Sequence, residues 1–150
     1  MNDEPDSPVE LRARALRLLA RREHSRAELE RKLGPHSGSS AVVGEVLEAL
    51  VQKKQLSDER YAEERVRSLS RKYGAARIRQ DLKAKGVDPQ TIERVAPGDE
   101  LERARAILAR KFREPASSRE ERAKRMRFLQ GRGFSFDVIR QLLGGRLDGG

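Results

Sequence analysis

Apolar residues in this chain return at intervals of three and four, and almost no stretch alternates apolar with polar as a half-buried strand would. Pro8 suits a helix start, and Leu11, Ala15, Leu18 and Leu19 then form one stripe with Leu16 at its edge. Ser25 and Glu28 have capping-box spacing, Leu29 and Leu33 follow on one face, and Gly34-Pro35 stops the helix. Ser39 or Ser40 can cap a third helix carrying Val43, Val46, Leu47 and Leu50.

A second cycle opens at Ser57, with Asp58 and Glu59 favourable in its first turn. Its stripe runs Ala62, Val66, Leu69, Tyr73 until Gly74 breaks it. Ile78 and Leu82 mark the next helix, which Gly86 ends where left-handed backbone is needed. Asp88-Pro89 predicts an N-cap followed by proline in the first turn, and Ile92 and Val95 give a short helix that ends at Pro97-Gly98. In the third cycle Leu101, Ala104, Leu108 and Phe112 share a face. Met126 and Leu129 lie on a helix ending at Gly133, and Ser135 caps a last helix with Val138, Ile139, Leu142 and Leu143.

The pattern predicts an all-α protein of three tandem three-helix repeats, an elongated and curved body. The expected divisions are a disordered acidic tail at 1–8, repeats at 9–56, 57–97 and 98–147, and a frayed tail at 148–150. Internal similarity supports the repeat. Leu82-Lys-Ala-Lys-Gly86-Val87-Asp88 lines up with Leu129-Gln-Gly-Arg-Gly133-Phe134-Ser135, and Leu33-Gly34 holds the place less faithfully in the first group. With 36% apolar and 4% aromatic residues and no Trp, a single thick core is not expected, and Tyr73, Phe112 and Phe134 are assigned to what core there is.

Charge sharpens the reading. The net charge is +9, and it is concentrated. Between Arg60 and Gly86 stand nine basic residues against Glu63, Glu64 and Asp81, an excess of +6. Residues 10–33 hold eight basic and four acidic side chains, and residues 117–134 hold six and two. Basic blocks separated by acidic hinges suit a surface that meets a polyanion at several points. The candidate contacts to DNA or to an acidic partner are Arg21, Arg22, Arg26 and Lys32 in the first block. The second supplies Arg67, Arg71, Lys72, Arg77, Lys83 and Lys85, and the third Arg122, Lys124, Arg125, Arg127 and Arg132. On helix 74–86, Arg77, Lys83 and Lys85 fall away from the Ile78/Leu82 stripe.

Catalytic chemistry finds no foothold. There is no cysteine; the two histidines, His24 and His36, fall in no metal-ligand spacing; and no phosphate-binding glycine loop with its lysine is present. Carboxylates are interleaved with Arg and Lys at helical spacing, the pattern of surface ion pairs. No enzyme, metal or cofactor is expected. No apolar run approaches ~20 residues, the length needed to span a bilayer. The N-terminus does not read as a targeting segment, so a cytoplasmic location is expected. Nothing resembles a long coiled-coil seam, and a monomer is expected.

Three segments carry a resemblance: ALRLLARREHSRAELERKL, LSDERYAEERVRSLSRKYGAARIRQDLKAKGV and RFLQGRGFSFDVIRQLL, in that order across about Val9 to Leu143. Together they resemble the RecX family, small basic bacterial regulators of the RecA recombinase. The resemblance implies a protein of recombination, DNA repair and the SOS response. It implies binding to RecA and its nucleoprotein filament, with single- and double-stranded DNA as further partners. It also implies inhibition of strand exchange and coupled ATP hydrolysis, by limiting filament extension or promoting disassembly. Two departures stand out. Ala75 follows Gly74 where relatives commonly have proline, which predicts a looser helix start. Gly131 stands within a helical pattern where a good helix former is usual, at a cost of about 1 kcal/mol relative to Ala. The rival reading of the residues is a helix-turn-helix-like DNA-binding regulator or architectural protein that acts without a recombinase.

Overall fold

In the computed structural model, which describes residues 4–144, the chain is all-helical. The expected frayed tail at 148–150 and the first three residues of the expected acidic tail lie outside the described residues. The helices are α1 (Pro8–Arg21), α2 (Arg26–Leu33), α3 (Ser40–Gln52), α4 (Asp58–Leu69), α5 (Ala75–Ala84), α6 (Pro89–Val95), α7 (Glu100–Lys111), α8 (Arg119–Gly131) and α9 (Phe136–Ile139). A single 3₁₀ turn, Gly34–His36, follows α2, and α9 widens into a π turn over Arg140–Gly144. No helix among the described residues is long and apolar enough to cross a membrane.

Serine caps set most of the starts. Ser7 and Ser25 each form a full capping box, with Glu10 and Glu28 respectively reaching back to the serine N–H. Ser39, Ser118 and Ser135 accept from backbone N–H groups at the starts of α3, α8 and α9, and Ser57 does so for Arg60. Asp88 accepts from the Thr91 N–H at 2.9 Å, with Pro89 in the first turn of α6.

The described residues pack as two compact units, residues 4–64 with 82–93 and residues 65–81 with 94–144, so α4 and α5 each contribute one part to each unit. In the first unit Leu11, Ala15, Leu29, Leu33, Val43, Val46, Leu47, Leu50 and Leu56 form the core of α1 to α3, with Leu16, Leu18 and Leu19 partly buried around it. Asp6, next to Ser7, is held there as well: its N–H donates to the His36 carbonyl at 2.8 Å and its carboxylate pairs with Arg14 at 2.9 Å. In the second unit Ala104, Ile107, Leu129, Phe134, Val138 and Ile139 form the core of α7 to α9.

The internal repeat is visible in the backbone. Gly86 and Gly133 have φ +85° and +92°. The next N–H closes back onto the helix in both places, Val87 to the Leu82 carbonyl at 3.1 Å and Phe134 to that of Leu129 at 3.2 Å. Leu33-Gly34 does not hold this place in the first group: Gly34 is right-handed, with φ −49° and ψ −48°, because the chain runs on into the Pro35 turn. The left-handed position there is Lys54, with φ +62°, and the next N–H, that of Gln55, closes onto the Leu50 carbonyl at 2.9 Å.

The aromatics divide differently from expectation. Phe134 is buried, as is Tyr61, but Tyr73 and Phe112 are only half-buried, with Arg77 over the first ring and Arg125 over the second. Phe136 is 66% exposed.

Candidate polyanion-binding cleft

The candidate cations divide between the units. In the first, Arg22 is taken up by Glu28, with Nη1 to Oε1 at 3.2 Å and Nη2 to Oε2 at 3.0 Å. Arg26 pairs with Glu48 at 2.8 Å and Glu30 at 3.6 Å, and also donates to the Gly44 carbonyl. Lys32 donates to Nε2 of His24 at 3.1 Å. Arg21, exposed at the end of α1, and Lys83 and Lys85 make no side-chain ion pair among the described residues.

His24 and Glu28 form a buried polar knot with these cations. His24 is 2% exposed and its Nδ1 donates to the Arg22 carbonyl at 3.0 Å. Burial, helped by the charges of Arg22 and Lys32, holds its pKa below the ordinary histidine value despite that bond and the nearby Glu28. Burial alone would raise the Glu28 carboxyl. The Arg22 guanidinium and the Ser25 N–H outweigh it and bring the pKa down to about 2. Asp58, at the start of α4, is shifted the other way by burial, with Asp88 and Glu30 adding to the rise, although it accepts from the Arg26 N–H at 2.8 Å.

In the second unit the candidates converge. Arg71, Lys72 and Tyr73 leave α4, Ile107, Arg110 and Lys111 end α7, and Phe128 and Arg132 end α8. These eight residues line one open cleft of about 400 Å³. Five of the eight are cations and none is acidic.

The turn that carries Arg71 and Lys72 is fixed by arginines. Arg103 donates to the Ser70 carbonyl at 3.3 Å and the Tyr73 carbonyl at 2.8 Å. Arg110 donates to the Arg71 carbonyl, and Arg132 to the Lys72 carbonyl at 3.0 Å. Four consecutive carbonyls in the turn that follows α4, Ser70 to Tyr73, are thus capped by guanidinium groups. Gly74 continues the junction, its N–H donating to the Arg132 carbonyl at 2.7 Å. A Cβ on Gly74 would stand 2.4 Å from the Gly133 carbonyl oxygen, a backbone atom that cannot swing aside. Ala75 does not leave its helix start loose. Its N–H donates to Glu100 at 2.9 Å, a bond proline could not make.

Aromatic rings lie against the guanidiniums. Arg132 lies over Phe128 at 4.8 Å and over Tyr73 at 5.6 Å, and Phe112 meets Phe128 edge-on at 5.6 Å. Arg77 lies over Tyr73 at 4.2 Å and donates to the Gly131 carbonyl at 2.9 Å. Arg125 covers Phe112 at 4.6 Å. Arg77 and Arg125, read from sequence as surface contacts, therefore also bind within their own unit. Arg67, Arg122, Lys124 and Arg127 are not among the cleft's lining residues. Arg110 and Lys111 escaped the sequence reading because residues 103–113, with five basic side chains and no acidic one, were not counted among the basic blocks. The signal that would have found them is the recurrence of two adjacent cations at a helix end, as at Arg71-Lys72.

The comparisons with known proteins agree along the chain. Models of the first, second and third RecX three-helix domains match residues 12–50, 57–95 and 98–143. Regulatory protein RecX of Leptothrix cholodnii is 44% identical over 138 residues, covering 90% of this chain and 88% of the relative. Regulatory protein RecX of Neisseria gonorrhoeae is 42% identical over 135 residues, covering 89% and 88%. The crystal structure of RecX from Lactobacillus salivarius shares the fold with a TM-score of 0.77 at 24% identity, covering 94% of this chain and 96% of that one. Three domain matches in order, and relatives at this identity over nine-tenths of the length, establish that the chain belongs to the RecX family of regulatory proteins.

Proposed function

We propose that this protein is a cytoplasmic, non-enzymatic regulator that binds RecA and its nucleoprotein filament. It inhibits strand exchange and the coupled ATPase by limiting filament extension or promoting disassembly. Family membership supports the choice of target. The observation that carries the polyanion contact is the cleft in which Arg71, Lys72, Arg110, Lys111 and Arg132 converge with no acidic residue among the lining. Arg is suited to such a partner because its planar fork meets phosphate or carboxylate through two parallel bonds.

The test is strand exchange and single-stranded-DNA-dependent ATP hydrolysis by the cognate recombinase, with and without the protein. Inhibition at or below one protein per recombinase subunit is the expected result, and no effect at that dose would overturn the reading. The rival, a DNA-binding regulator that needs no recombinase, forecasts tighter binding to naked DNA than to recombinase-coated DNA in a side-by-side titration. The present reading forecasts the reverse.

A further inference from the structure

The cleft's position at helix ends raises a question that magnitudes can decide. Arg71 and Lys72 follow α4, Arg110 and Lys111 end α7, and Arg132 caps α8. A cation at a helix C-terminus is explained by the helix dipole alone, which supplies about half a negative charge per helix. Three such ends offset about 1.5 charges, and five cations leave an excess of about +3.5. Helix capping therefore accounts for less than half of the charge, and the remainder is available to an anion.

The chemistry of that anion is restricted by what covers the rings. Nucleic-acid sites that stack bases leave aromatic faces open. Here Tyr73 carries Arg77 at 4.2 Å and Arg132 at 5.6 Å, while Phe128 carries Arg132 at 4.8 Å and Lys111 at 5.8 Å. A base would have to displace a guanidinium already bonded to a carbonyl, Arg132 to Lys72 and Arg77 to Gly131. The same bonds leave most of the five N–H donors of each guanidinium free and anchor one edge of each group to the backbone. Arg110 is fixed in the same way by the Arg71 carbonyl. The side chains of Arg71 and Lys72 make no hydrogen bond or ion pair among the described residues, and Lys111 makes only its ring contact.

We infer that the cleft is a phosphate-reading site. Arg110 and Arg132, held by backbone carbonyls, take the oxygens of neighbouring phosphoryl groups, Arg71, Lys72 and Lys111 neutralise the rest, and nucleobases are excluded. The chemistry is common to a nucleic-acid backbone and to a free oligophosphate, so tripolyphosphate competes for the same place. The inference rests on the cleft being a polyanion-binding surface, as proposed above, and adds which part of the polymer it reads.

The experiment is calorimetric titration of the whole protein, without recombinase, using three probes: tripolyphosphate, a natural-sequence single strand, and an abasic strand of equal length. The expected results are equal affinity for the two strands within about twofold and displacement of either by tripolyphosphate. Natural-strand affinity more than fivefold above abasic would overturn base exclusion, as would failure of tripolyphosphate to compete.

Arg132→Lys keeps the charge but loses the fork and the ring contact, and is expected to weaken all three probes at least tenfold. Because Arg132 also supports the turn, Lys72→Gln/Lys111→Gln provides the variant that leaves the backbone bonds intact. Its expected loss is also at least tenfold, against less than twofold for Lys53→Gln/Arg119→Gln, which removes two charges outside the cleft. Equal losses in the two double variants would overturn the location. Full filament inhibition by a Lys72→Gln/Lys111→Gln protein that no longer binds phosphate would uncouple the site from the proposed function and leave the site standing.

Discussion

Single residues carry more of this fold than their size suggests. Gly74 and Gly133 meet backbone to backbone, and a Cβ on Gly133 would also stand 2.4 Å from Cβ of Arg77. Gly74→Ala is expected to destabilise the protein by about 2–3 kcal/mol, read as a lower denaturation midpoint, because overpacking against backbone has no rotamer to relieve it. Two substitutions should act in the other direction. Lys54 occupies the left-handed position at the end of α3 with φ +62°, where a side chain is disfavoured. Lys54→Gly is expected to raise stability by about 0.5–1 kcal/mol in chemical denaturation. Gly131, expected in a helix interior, is instead the last residue of α8, and nothing stands within 4 Å of an added Cβ. Gly131→Ala is expected to stabilise by about 0.5–1 kcal/mol, raising Tm by a few degrees. The sequence showed the role of Gly86 because a glycine follows a helical stripe there. It did not show that of Lys54, because left-handed backbone at a lysine leaves no mark in residue type. The Ser7 to Glu10 spacing matches Ser25 to Glu28, yet only Pro8 was read as the start of α1 and its serine cap was missed.

At the scale of elements, the joint between α1 and α2 makes stability depend on pH. Glu28 is a carboxylate whose pKa falls to about 2 on folding, from an ordinary 4.5. Between those values the unfolded chain binds more protons than the folded one, so the stabilisation is complete above pH 4.5 and is lost as pH falls toward 2. The difference corresponds to about 3 kcal/mol at most. His24 acts with the same sign. Its folded pKa lies below 6.5, so the unfolded chain protonates first and stability declines once pH drops below 6.5. Denaturation midpoints measured from pH 8 to pH 3 are expected to fall in two stages. His24→Asn should flatten the stage just below pH 6.5, and Glu28→Gln the stage below 4.5. Persistence of both stages in both variants would place the titrating groups elsewhere. Why this knot was hidden in sequence is physical. Capping-box spacing at Ser25 and Glu28 shows that a helix starts, but the Arg22 bond to Glu28 depends on how α1 turns into α2. Burial of His24 depends on packing that no local pattern encodes. The same holds for Tyr73 and Phe112, whose helical spacing marked them as core although their faces are covered by Arg77 and Arg125.

At the scale of the whole molecule, the question is how many of the basic blocks a polyanion engages. The repeat order, the helix ends and the basic blocks were all legible, because periodicity and charge are local properties of the chain. The cleft was not, because it joins the ends of α4, α7 and α8, which are far apart in sequence. Salt dependence provides the count. Each phosphate neutralised on a single strand contributes about −0.7 to the slope of log affinity against log salt. If all fifteen cations read from the sequence made contact, the slope would be about −10. Arg22 and Arg26 already hold Glu28 and Glu48 in the free protein, and pairs of this kind release few counterions when a strand arrives. Five cleft cations alone would give about −3.5. We expect a slope near −3.5 on single-stranded DNA, flattened by about 1.4 in Lys72→Gln/Lys111→Gln and left unchanged in Lys83→Gln/Lys85→Gln. A slope near −10 would mean that the basic blocks of both units act together. One that Lys83→Gln/Lys85→Gln flattens instead would move the contact to the first unit. Fluorescence anisotropy of a labelled oligonucleotide from 50 to 300 mM salt distinguishes the three outcomes: slopes of about −10 and −3.5 differ by several times the ~1.4 that two contacts contribute, and the double variant that loses that ~1.4 identifies the unit.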